Sequence, residues 1–341
     1  FAILLTSVKN THSIVNFAER IIKSQKKPIQ IKKKYIYMSP SIGISIFPQN
    51  GKSYKNLLKN ADTAMYRAKF KGKGRFELFE DKMNVEVAER LEIENELNKD
   101  VSNKNFSVYF QPIYNIENKK ITRFEALLRW NNKRFSKIKT EYIIKILEES
   151  NLIDAISFWL IEIVFNYFVK IKKNTNIIGA INISANQLLN RKFLKRIESL
   201  LVKTKINPEC IEFEITESIV LEDSKQMINT LSKLRALGFK IAIDDFGSGY
   251  SSFSYLIKFP INTLKIDQSL IETIDSNSDN SKIVDIIVSL GRKLKINVIA
   301  EGVENKKQFQ ALEKIGCKYI QGYHYSKPLK ISDFNNLKIR C

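Results

Sequence analysis

The sequence predicts an α/β protein whose larger part is a (β/α)8 barrel of the TIM type, with an antiparallel first strand pair and a smaller α+β domain before it. Two observations support this fold class. After Phe106, eight short stretches rich in apolar and β-branched residues alternate with helical segments, which is typical of a closed parallel barrel. The connection between the first two stretches, Asn115–Lys120, is too short for a crossover helix and therefore predicts a hairpin.

Residues 1–82 predict the smaller α+β domain. The chain enters at once into an apolar strand, Phe1–Leu5, and we therefore expect earlier residues, with any membrane anchor or sensor, to lie upstream. Apolar periodicity and turn residues then predict the remaining elements. These are a helix at Ser13–Ser24, strands at Ile29–Tyr37 and Met38–Phe47, a helix at Ser53–Phe70, a turn at Lys71–Gly74 and a strand at Arg75–Phe79.

A connecting helix follows at residues 83–100. Apolar residues recur at Val87, Leu91 and Leu97 with Glu and Arg between them, which is a helical stripe. We place the first domain at 1–82 and the barrel at 101–341.

The eight barrel strands and their helices are predicted from the same alternation. The strands are Ser107–Tyr114, Ile121–Trp130, Ile177–Ile183, Ile211–Thr216, Phe239–Asp245, Thr263–Ile266, Ile296–Ala300 and Tyr319–Tyr323. Helices fill most gaps, including Tyr142–Ser150, Glu222–Leu237, Lys282–Leu294 and Lys306–Ile315.

Charge composition narrows the choice of partners. The chain of 341 residues carries 56 Lys and Arg against 36 Asp and Glu, a formal net charge of +20. The lysines are spread along the whole length without a basic cluster that contains aromatic residues, so a DNA partner is not expected. A basic field of this kind favours a small anionic substrate.

Cysteine and histidine usage excludes several enzyme classes. The three cysteines, Cys210, Cys317 and Cys341, lack metal or redox spacing and predict free thiols in the cytoplasm. With only two histidines, His12 and His324, the chain lacks the ligands of zinc hydrolases and of His-Asp metal phosphohydrolases. No signal peptide and no apolar run of about 20 residues occur, so we expect no membrane segment in this chain.

Near the end of each barrel strand stands a polar side chain able to hold a metal or a phosphate. They are Gln111, Glu125, Asn182, Glu214, the pair Asp244 and Asp245, Lys265, Glu301 and Gln321. Because the carboxyl ends of barrel strands converge on one face, these residues should share a pocket. Oxygen ligands suit Mg²⁺ or Mn²⁺, and paired ions of this kind commonly serve phosphodiester cleavage. For any one acidic residue, a helix cap or a solvated loop position is the alternative.

The same residues lie in short motifs that occur in a fixed order. The motifs are Tyr109–Ile113, Glu125–Leu127 followed by Leu128–Trp130, Asn182–Ala185, Glu214–Ser218, Asp244–Ser252, Leu264–Asp267, Ala300–Glu304 and Gln321–Tyr323. In this order they resemble the EAL family of cyclic di-GMP phosphodiesterases along nearly the whole barrel. The three letters Glu-Ala-Leu alone would be weak evidence, whereas the ordered set is specific.

The resemblance implies a site with two ions, Mg²⁺ or Mn²⁺. The expected metal ligands are Glu125, Asn182, Glu214, Asp244 and Asp245, with Asp244 bridging the two ions. The expected catalytic residues are Lys265, which orients or deprotonates the attacking water, Glu301 and Gln321.

The remaining implied roles concern the substrate and the loop after Asp245. Gln111 and Arg129 are the expected substrate contacts, since a guanidinium matches phosphate geometry. Glu217 would brace the glycine-rich loop, and Glu304 is expected to support the loop and the dimer. In the family this loop links metal binding to dimer contacts, so we expect a homodimer through the barrel.

The first domain resembles the C-terminal part of a GGDEF diguanylate cyclase domain. The residues that carry this resemblance are Phe1–Leu4, Ser41–Ile44, Ala61–Tyr66, Ala68–Lys69 and Gly72–Lys73. The Gly-Gly-Asp-Glu motif that would hold GTP and metal is absent from the sequence, so this domain is not expected to be a cyclase. Lys69 and Lys73 are then expected to be surface lysines.

Three functions are compatible with this sequence. The preferred one is metal-dependent hydrolysis of cyclic di-GMP to linear pGpG, which lowers a bacterial second messenger. The second is a non-catalytic cyclic di-GMP receptor or regulatory EAL domain. The third is a bifunctional cyclase and phosphodiesterase in the intact protein.

Overall fold

A computed structural model describes residues 1–8, 10–25, 29–31, 34–36, 38–171, 177–217, 225–248, 256, 259–274 and 279–339. It divides the chain into two units, Phe1–Leu97 and Asn98–Cys341.

In its described part, the first unit contains two complete helices, most of a third and two short strand pairs. Its elements are α1 (Thr11–Ser24), β1 (Ile29–Ile31), β2 (Lys34–Ile36), β3 (Ile42–Ile44), α2 (Tyr54–Phe70) and β4 (Phe76–Leu78). β1 and β2 pair antiparallel, whereas β3 and β4 pair parallel. Gly43 in β3 is required by packing, because a Cβ there would lie 1.9 Å from the carbonyl oxygen of Ala61 in α2. The predicted helices are present, and α2 begins after the side-chain cap of Ser53.

The strand predicted at Phe1–Leu5 is wrong. These residues form no strand, and Phe1 and Leu4 are exposed. An apolar run becomes a strand only where a neighbouring strand can accept and donate its backbone hydrogen bonds, and no strand pairs with this segment within the described residues.

Helix α3 (Lys82–Asn103) includes the predicted connector at 83–100. The division between the two units falls inside this helix, between Leu97 and Asn98. The domain limits 1–82, 83–100 and 101–341 stay a prediction.

The second unit is a closed eight-stranded barrel, which confirms the predicted fold class. Its strands are β5 (Phe106–Asn115), β6 (Lys120–Trp130), β7 (Ile178–Asn182), β8 (Ile211–Thr216), β9 (Lys240–Phe246), β10 (Thr263–Ile266), β11 (Asn297–Ala300) and β12 (Tyr319–Ile320). From β6 to β12 neighbouring strands are parallel, while β5 is antiparallel to both β6 and β12 and closes the sheet. A short additional strand, β13 (Leu329–Lys330), pairs with β5. The last predicted barrel strand ends at Ile320, three residues earlier than expected from the sequence.

Helices surround the described barrel. They are α4 (Thr140–Glu149), α5 (Ile153–Lys170), α6 (Ala185–Leu189), α7 (Arg191–Thr204), α8 (Lys225–Ala236), α9 (Gln268–Glu272), α10 (Asp279–Leu294), α11 (Lys306–Ile315) and α12 (Ile331–Ile339). The first residues of the predicted helix Glu222–Leu237 lie outside the described part of the chain. Among the helices described, none has the length and apolar character needed to cross a membrane.

Aromatic packing holds the helices against the outside of the barrel. Phe110 of β5 and Phe124 of β6 stack with centroids 4.0 Å apart, and Phe334 of α12 meets both rings edge-on. Gly179 in β7 leaves room for this cluster, because a Cβ there would lie 2.7 Å from the ring of Phe124 and 2.9 Å from that of Phe168. Buried aromatic area of this kind contributes most of the stability of such an interface.

A polar layer occupies the barrel interior near the amino ends of its strands. Arg123 Nη1 pairs with Glu212 Oε2 at 2.6 Å and also donates to Thr263 Oγ1 at 3.1 Å. Thr263 in turn donates to the other oxygen of Glu212. All three side chains are buried, so the charges are compensated by one another rather than by water.

Candidate metal centre and active site

Strand register brings the predicted polar residues to one face of the barrel. In the register, Gln111 of β5 lies opposite Glu125 of β6, and Asn182 of β7 lies opposite Glu214 of β8. Asp244 of β9 lies opposite Thr216, which is two residues beyond Glu214 in β8. Glu301 and Gln321 directly follow β11 and β12. The predicted convergence on one face of the barrel is therefore present. The prediction that every residue lies near a strand end is wrong for Gln111 and Glu125, which lie in the middle of β5 and β6, and β5 runs antiparallel to its neighbours.

Lys265 lies at the centre of this face. Its side chain is fully buried, and its ammonium group contacts four carboxylates. The distances from Lys265 Nζ are 2.7 Å to Glu301 Oε1, 3.0 Å to Glu214 Oε2, 3.2 Å to Asp244 Oδ1 and 3.3 Å to Glu125 Oε2. One ammonium ion cannot balance four ionised carboxylates, so full ionisation of the cluster is unfavourable without a further cation.

Side-chain amides donate hydrogen bonds to both carboxylate oxygens of Glu125. Asn182 Nδ2 donates to Glu125 Oε1 at 2.7 Å, and Gln321 Nε2 donates to Glu125 Oε2 at 2.7 Å. Gln321 Nε2 also lies 3.2 Å from Gln111 Oε1. With both carboxylate oxygens held by amides, Glu125 has one fixed orientation.

The donor set fits hard divalent cations. Two groups of carboxylates have ligand atoms within 4.8 Å of one another, Glu125 with Glu214 and Asp244, and Asp244 with Asp245 and Glu301. Asp244 belongs to both groups. Moreover, Glu214 Oε1 and Gln321 Oε1 are buried and accept no hydrogen bond, which is costly unless a further group binds them. Oxygen ligands in this number suit Mg²⁺ or Mn²⁺.

The pKa values within the cluster are strongly perturbed. Burial raises the pKa of Glu214 well above its ordinary value, and the neighbouring carboxylates add to this rise against the opposing effect of Lys265. Burial and Asp244 likewise raise the pKa of Glu301 well above its ordinary value. Burial alone would raise the pKa of Glu125, but Lys265 and the amide hydrogen bonds outweigh burial and lower it.

Charge also affects the remaining members of the cluster. Burial and nearby Glu125 raise the pKa of Asp244 although Lys265 opposes this. Burial, together with Asp244 and Asp267, raises the pKa of Asp245 to about 6. Burial would lower the pKa of Lys265, but the four carboxylates raise it well above its ordinary value, so its ammonium form is retained. Perturbed pKa values of this kind cluster at functional sites and also occur in buried ion-pair networks.

The end of β9 and the start of the loop that follows it contain two residues with positive φ. Asp245 adopts φ 57°, a left-handed conformation that is uncommon for a residue other than glycine, and Gly247 follows with φ 94°. Glu217 Oε2 accepts from the backbone N–H of Gly247 at 3.0 Å, and Asp244 Oδ1 accepts from that of Asp245 at 3.0 Å. Glu217 is therefore in contact with the loop that the resemblance expects it to brace. Residues 249–255, 257 and 258, which include most of the expected dimer contacts, lie outside the described part of the chain.

A cavity of about 1010 Å³ opens beside the carboxylates. Arg129 and Glu304 line it, outside the cluster around Lys265. The guanidinium of Arg129 donates from Nη1 to the carbonyl oxygen of Leu128 at 2.8 Å and lies 5.9 Å from the centre of the Tyr109 ring. Gln111 lines the same cavity and also approaches the carbonyl oxygen of Ser326. Both predicted substrate contacts thus lie at the edge of one space.

Two features of the cavity were not predicted from the sequence. Asp267 lines it and contributes to the raised pKa of Asp245, while its carboxylate caps α9 by accepting from the N–H of Ser269 at 2.9 Å. Its place two residues after Lys265, at a strand end, was the available signal. The other feature is an apolar wall formed by Ile144, Ile153, Ile156 and Leu160. Nothing in the local pattern distinguishes these residues from an ordinary helix core.

Fold and site together define a (β/α)8 barrel protein with an acidic cluster, able to hold a metal ion, at the carboxyl ends of its strands. Residues 94–328 match the EAL domain family, and residues 1–75 match the family described as diguanylate cyclase, GGDEF domain. The chain belongs to the EAL domain family and carries a GGDEF match at its N-terminal side, which confirms both resemblances.

Two similar proteins align with this chain over both matched regions. The signaling protein YkoW of Bacillus subtilis is 35% identical over 341 residues, which cover 99% of this chain and 43% of YkoW. The protein of Pseudomonas aeruginosa named bifunctional diguanylate cyclase/cyclic di-GMP phosphodiesterase MucR is 32% identical over 329 residues, covering 96% of this chain and 48% of MucR. The chain thus spans less than half the length of these two relatives.

The barrel also resembles a solved structure. The PaMucR phosphodiesterase in complex with c-di-GMP is 29% identical, with a TM-score of 0.67, and the match covers 71% of this chain and 99% of that one.

Proposed function

We propose that this chain hydrolyses cyclic di-GMP to linear pGpG. The observation that carries the proposal is the set of polar residues, from or directly after the barrel strands, at one face of the barrel beside the cavity. Four of their carboxylates contact Lys265. The names of MucR and of the PaMucR complex, which contain this substrate, support the same choice. An anionic dinucleotide also suits a chain with a net charge of +20.

The metal ligands in this proposal are the residues that sit in the two carboxylate groups. Glu125, Glu214 and Asp244 would hold one ion, with Asn182 rotated to present its oxygen, and Asp244 with Asp245 would hold the other. Bound there, two divalent ions supply charge neutralisation at the phosphate and a water of lowered pKa. The unsatisfied oxygens of Glu214 and Gln321 support this placement.

The protein side chains stabilise charge, orient the water and bind the substrate. Lys265, which stays protonated among its carboxylates, offsets the negative charge that develops on the attacked phosphate, and Gln321 orients the water. Arg129 and Gln111 bind the phosphate and the base at the cavity edge. In the reaction a P–O bond to water forms, the P–O3′ bond breaks, and the leaving 3′ oxygen takes up a proton, which gives a linear dinucleotide with a 5′ phosphate.

The decisive experiment is incubation of the purified chain with cyclic di-GMP and Mg²⁺ or Mn²⁺, followed by chromatography of the products. The Glu125→Ala variant is the control. Linear pGpG from the wild type alone would support the phosphodiesterase, whereas tight binding without turnover would move the protein to the class of cyclic di-GMP receptors.

A homodimer formed through the loop and helix after Asp245 is part of the proposal. It rests on the family resemblance and on the contact between Glu217 and the start of this loop. Light scattering at assay concentration tests it, and a fully active monomer would contradict it. A cytoplasmic location likewise stays a prediction.

A further inference from the structure

Asp100, in the last turn of α3, is a buried carboxylate with three neutral hydrogen-bond donors around it. Its side chain accepts from the indole Nε1 of Trp130 at 2.7 Å, from Asn105 Nδ2 at 3.0 Å and from Asn132 Nδ2 at 3.2 Å. The residue is 8% exposed. Hydrogen bonds to an ionised acceptor are stronger than neutral ones, so this carboxylate is a firm anchor for the three groups.

The anchored groups lie at the end of strand β6. Trp130 is the last residue of this strand, and its ring stacks on Phe135 with centroids 5.2 Å apart and planes 8° apart. The backbone adds two bonds, from the N–H of Asn105 to the carbonyl of Asp100 and from the N–H of Asn131 to the carbonyl of Asn105. Asp100 therefore fixes both the strand end and the segment that follows it.

Two walls of the cavity begin at this point. Arg129, which precedes Trp130, lines one wall, and Thr140 and Ile144, which follow Phe135 in the chain, line another. Among the described residues, no carboxylate forms an ion pair with Arg129. Arg129 Nη1 donates to the carbonyl oxygen of Leu128, so the direction of its guanidinium follows the backbone at the end of β6. Both the ladder to β5 and the indole of Trp130 hold that backbone.

We propose that Asp100 is a positioning residue for substrate affinity, which acts by holding Trp130 and thereby the guanidinium of Arg129 at the phosphate of the dinucleotide. This inference rests on the proposed function. Asp100 is not among the residues that line the cavity, and its hydrogen-bond partners are not the expected metal ligands, so its loss should weaken binding and leave the chemical step intact.

The test variant is Asp100→Asn, which keeps the shape of the side chain but replaces one acceptor oxygen with a donor that faces other donors. We expect the KM for cyclic di-GMP to rise about tenfold while kcat stays within about twofold, because an interaction used equally in the ground and transition states is lost. Trp130→Phe, which removes the indole donor and keeps the stack on Phe135, should reproduce this result. Because both variants remove the same hydrogen bond between Trp130 and Asp100, their effects should not add in the double variant.

Tryptophan fluorescence supplies a readout that general destabilisation would not imitate. The chain has two tryptophans, Trp130 and Trp159, so a Trp159→Phe background leaves Trp130 as the single emitter. In that background Asp100→Asn should change the emission maximum of the folded protein. The matched control is Asp333→Asn, the same substitution at an exposed carboxylate of α12, which should leave both emission and KM unchanged.

Binding of cyclic di-GMP by calorimetry in EDTA separates this inference from the proposed function. If the wild type binds cyclic di-GMP in EDTA but shows no turnover with Mg²⁺ or Mn²⁺, the proposed hydrolysis fails, but the ratio of the dissociation constants of Asp100→Asn and the wild type still decides the role of Asp100. An unchanged KM, dissociation constant and Trp130 emission in Asp100→Asn would overturn the inference. A fall in kcat and unfolding temperature with unchanged KM would also overturn it and assign Asp100 a purely structural role.

Discussion

The ammonium group of Lys265 lies 2.7 Å from Glu301 Oε1, the shortest of its four ion pairs. The lysine therefore sits among the same carboxylates that would ligate divalent ions. A bound metal ion and Lys265 would both balance the negative charge of these carboxylates, and their positive charges would repel one another.

Replacement of Lys265 by methionine should separate catalysis from metal binding. We expect kcat to fall about 100-fold or more, since a positioned charge and proton donor is lost. Mn²⁺ should bind more tightly to Lys265→Met at pH 8, because a competing cation has been removed. Calorimetry and product chromatography measure the two effects, with Lys240→Met, at the amino end of β9, as the control. Weaker Mn²⁺ binding in Lys265→Met would contradict the competition.

Two glutamates of β8 offer a matched pair for testing the metal site. Glu214→Gln should lower Mn²⁺ affinity about 100-fold, because it removes a charged ligand whose free oxygen has no other partner. Glu212→Gln, two residues earlier, leaves Arg123 without its charge partner and should cost about 3 kcal/mol of stability with unchanged Mn²⁺ affinity. Calorimetry and urea unfolding distinguish them. Equal losses of metal affinity in both variants would argue against the site.

Metal binding should release protons and weaken at low pH. Burial and Asp244 raise the pKa of Asp245 from its ordinary value of 3.8 to about 6. Because the pKa of Asp245 is raised in the folded protein, its protonated form stabilises the metal-free fold. This stabilisation is lost as pH rises through about 6. The stabilisation by Mn²⁺ should therefore grow between pH 5.5 and 7.5. Thermal unfolding in EDTA and in Mn²⁺ across this range measures it, and a constant difference would disprove the expectation.

Removal of the Glu217 carboxylate should disorder the start of the loop after β9. Glu217→Ala deletes the acceptor for the N–H of Gly247, and we expect turnover to fall about tenfold through the loss of one charge-assisted hydrogen bond. Glu217→Gln keeps an acceptor oxygen and should retain more activity. Steady-state kinetics at saturating Mn²⁺ makes the comparison, and unchanged turnover in Glu217→Ala would refute this role.

The barrel was predictable because its strands are rich in apolar and β-branched residues and are separated by clear turn signals. Strand β10 has the predicted limits, Thr263–Ile266, and α11 has the predicted limits, Lys306–Ile315. Helix α5 is not among the predicted helices, because its residues are buried on several sides and no polar stripe marks the helical period. The strand predicted at Phe1–Leu5 is wrong because an apolar run does not show whether a neighbouring strand is available to pair with it.

The gathering of the site residues was predictable from strand ends, whereas their interactions were not. The order of the strands is enough to place Glu125, Glu214 and Asp244 together. That Lys265 would reach all of them depends on the barrel radius and on side-chain packing, which sequence spacing does not contain. The contact of Asp100 with Trp130 likewise joins a helix end to a strand end through tertiary packing.

The central position of Lys265 also concerns how this protein reaches its working state. Many metal-binding domains are unfolded until their ion arrives, because the ligands repel one another without it. Here the chain brings its own internal counterion, fully buried among Glu125, Glu214, Asp244 and Glu301. The buried ammonium group therefore allows this cluster to fold before any ion is bound, and in the proposed function metal loading would be a later, separate step.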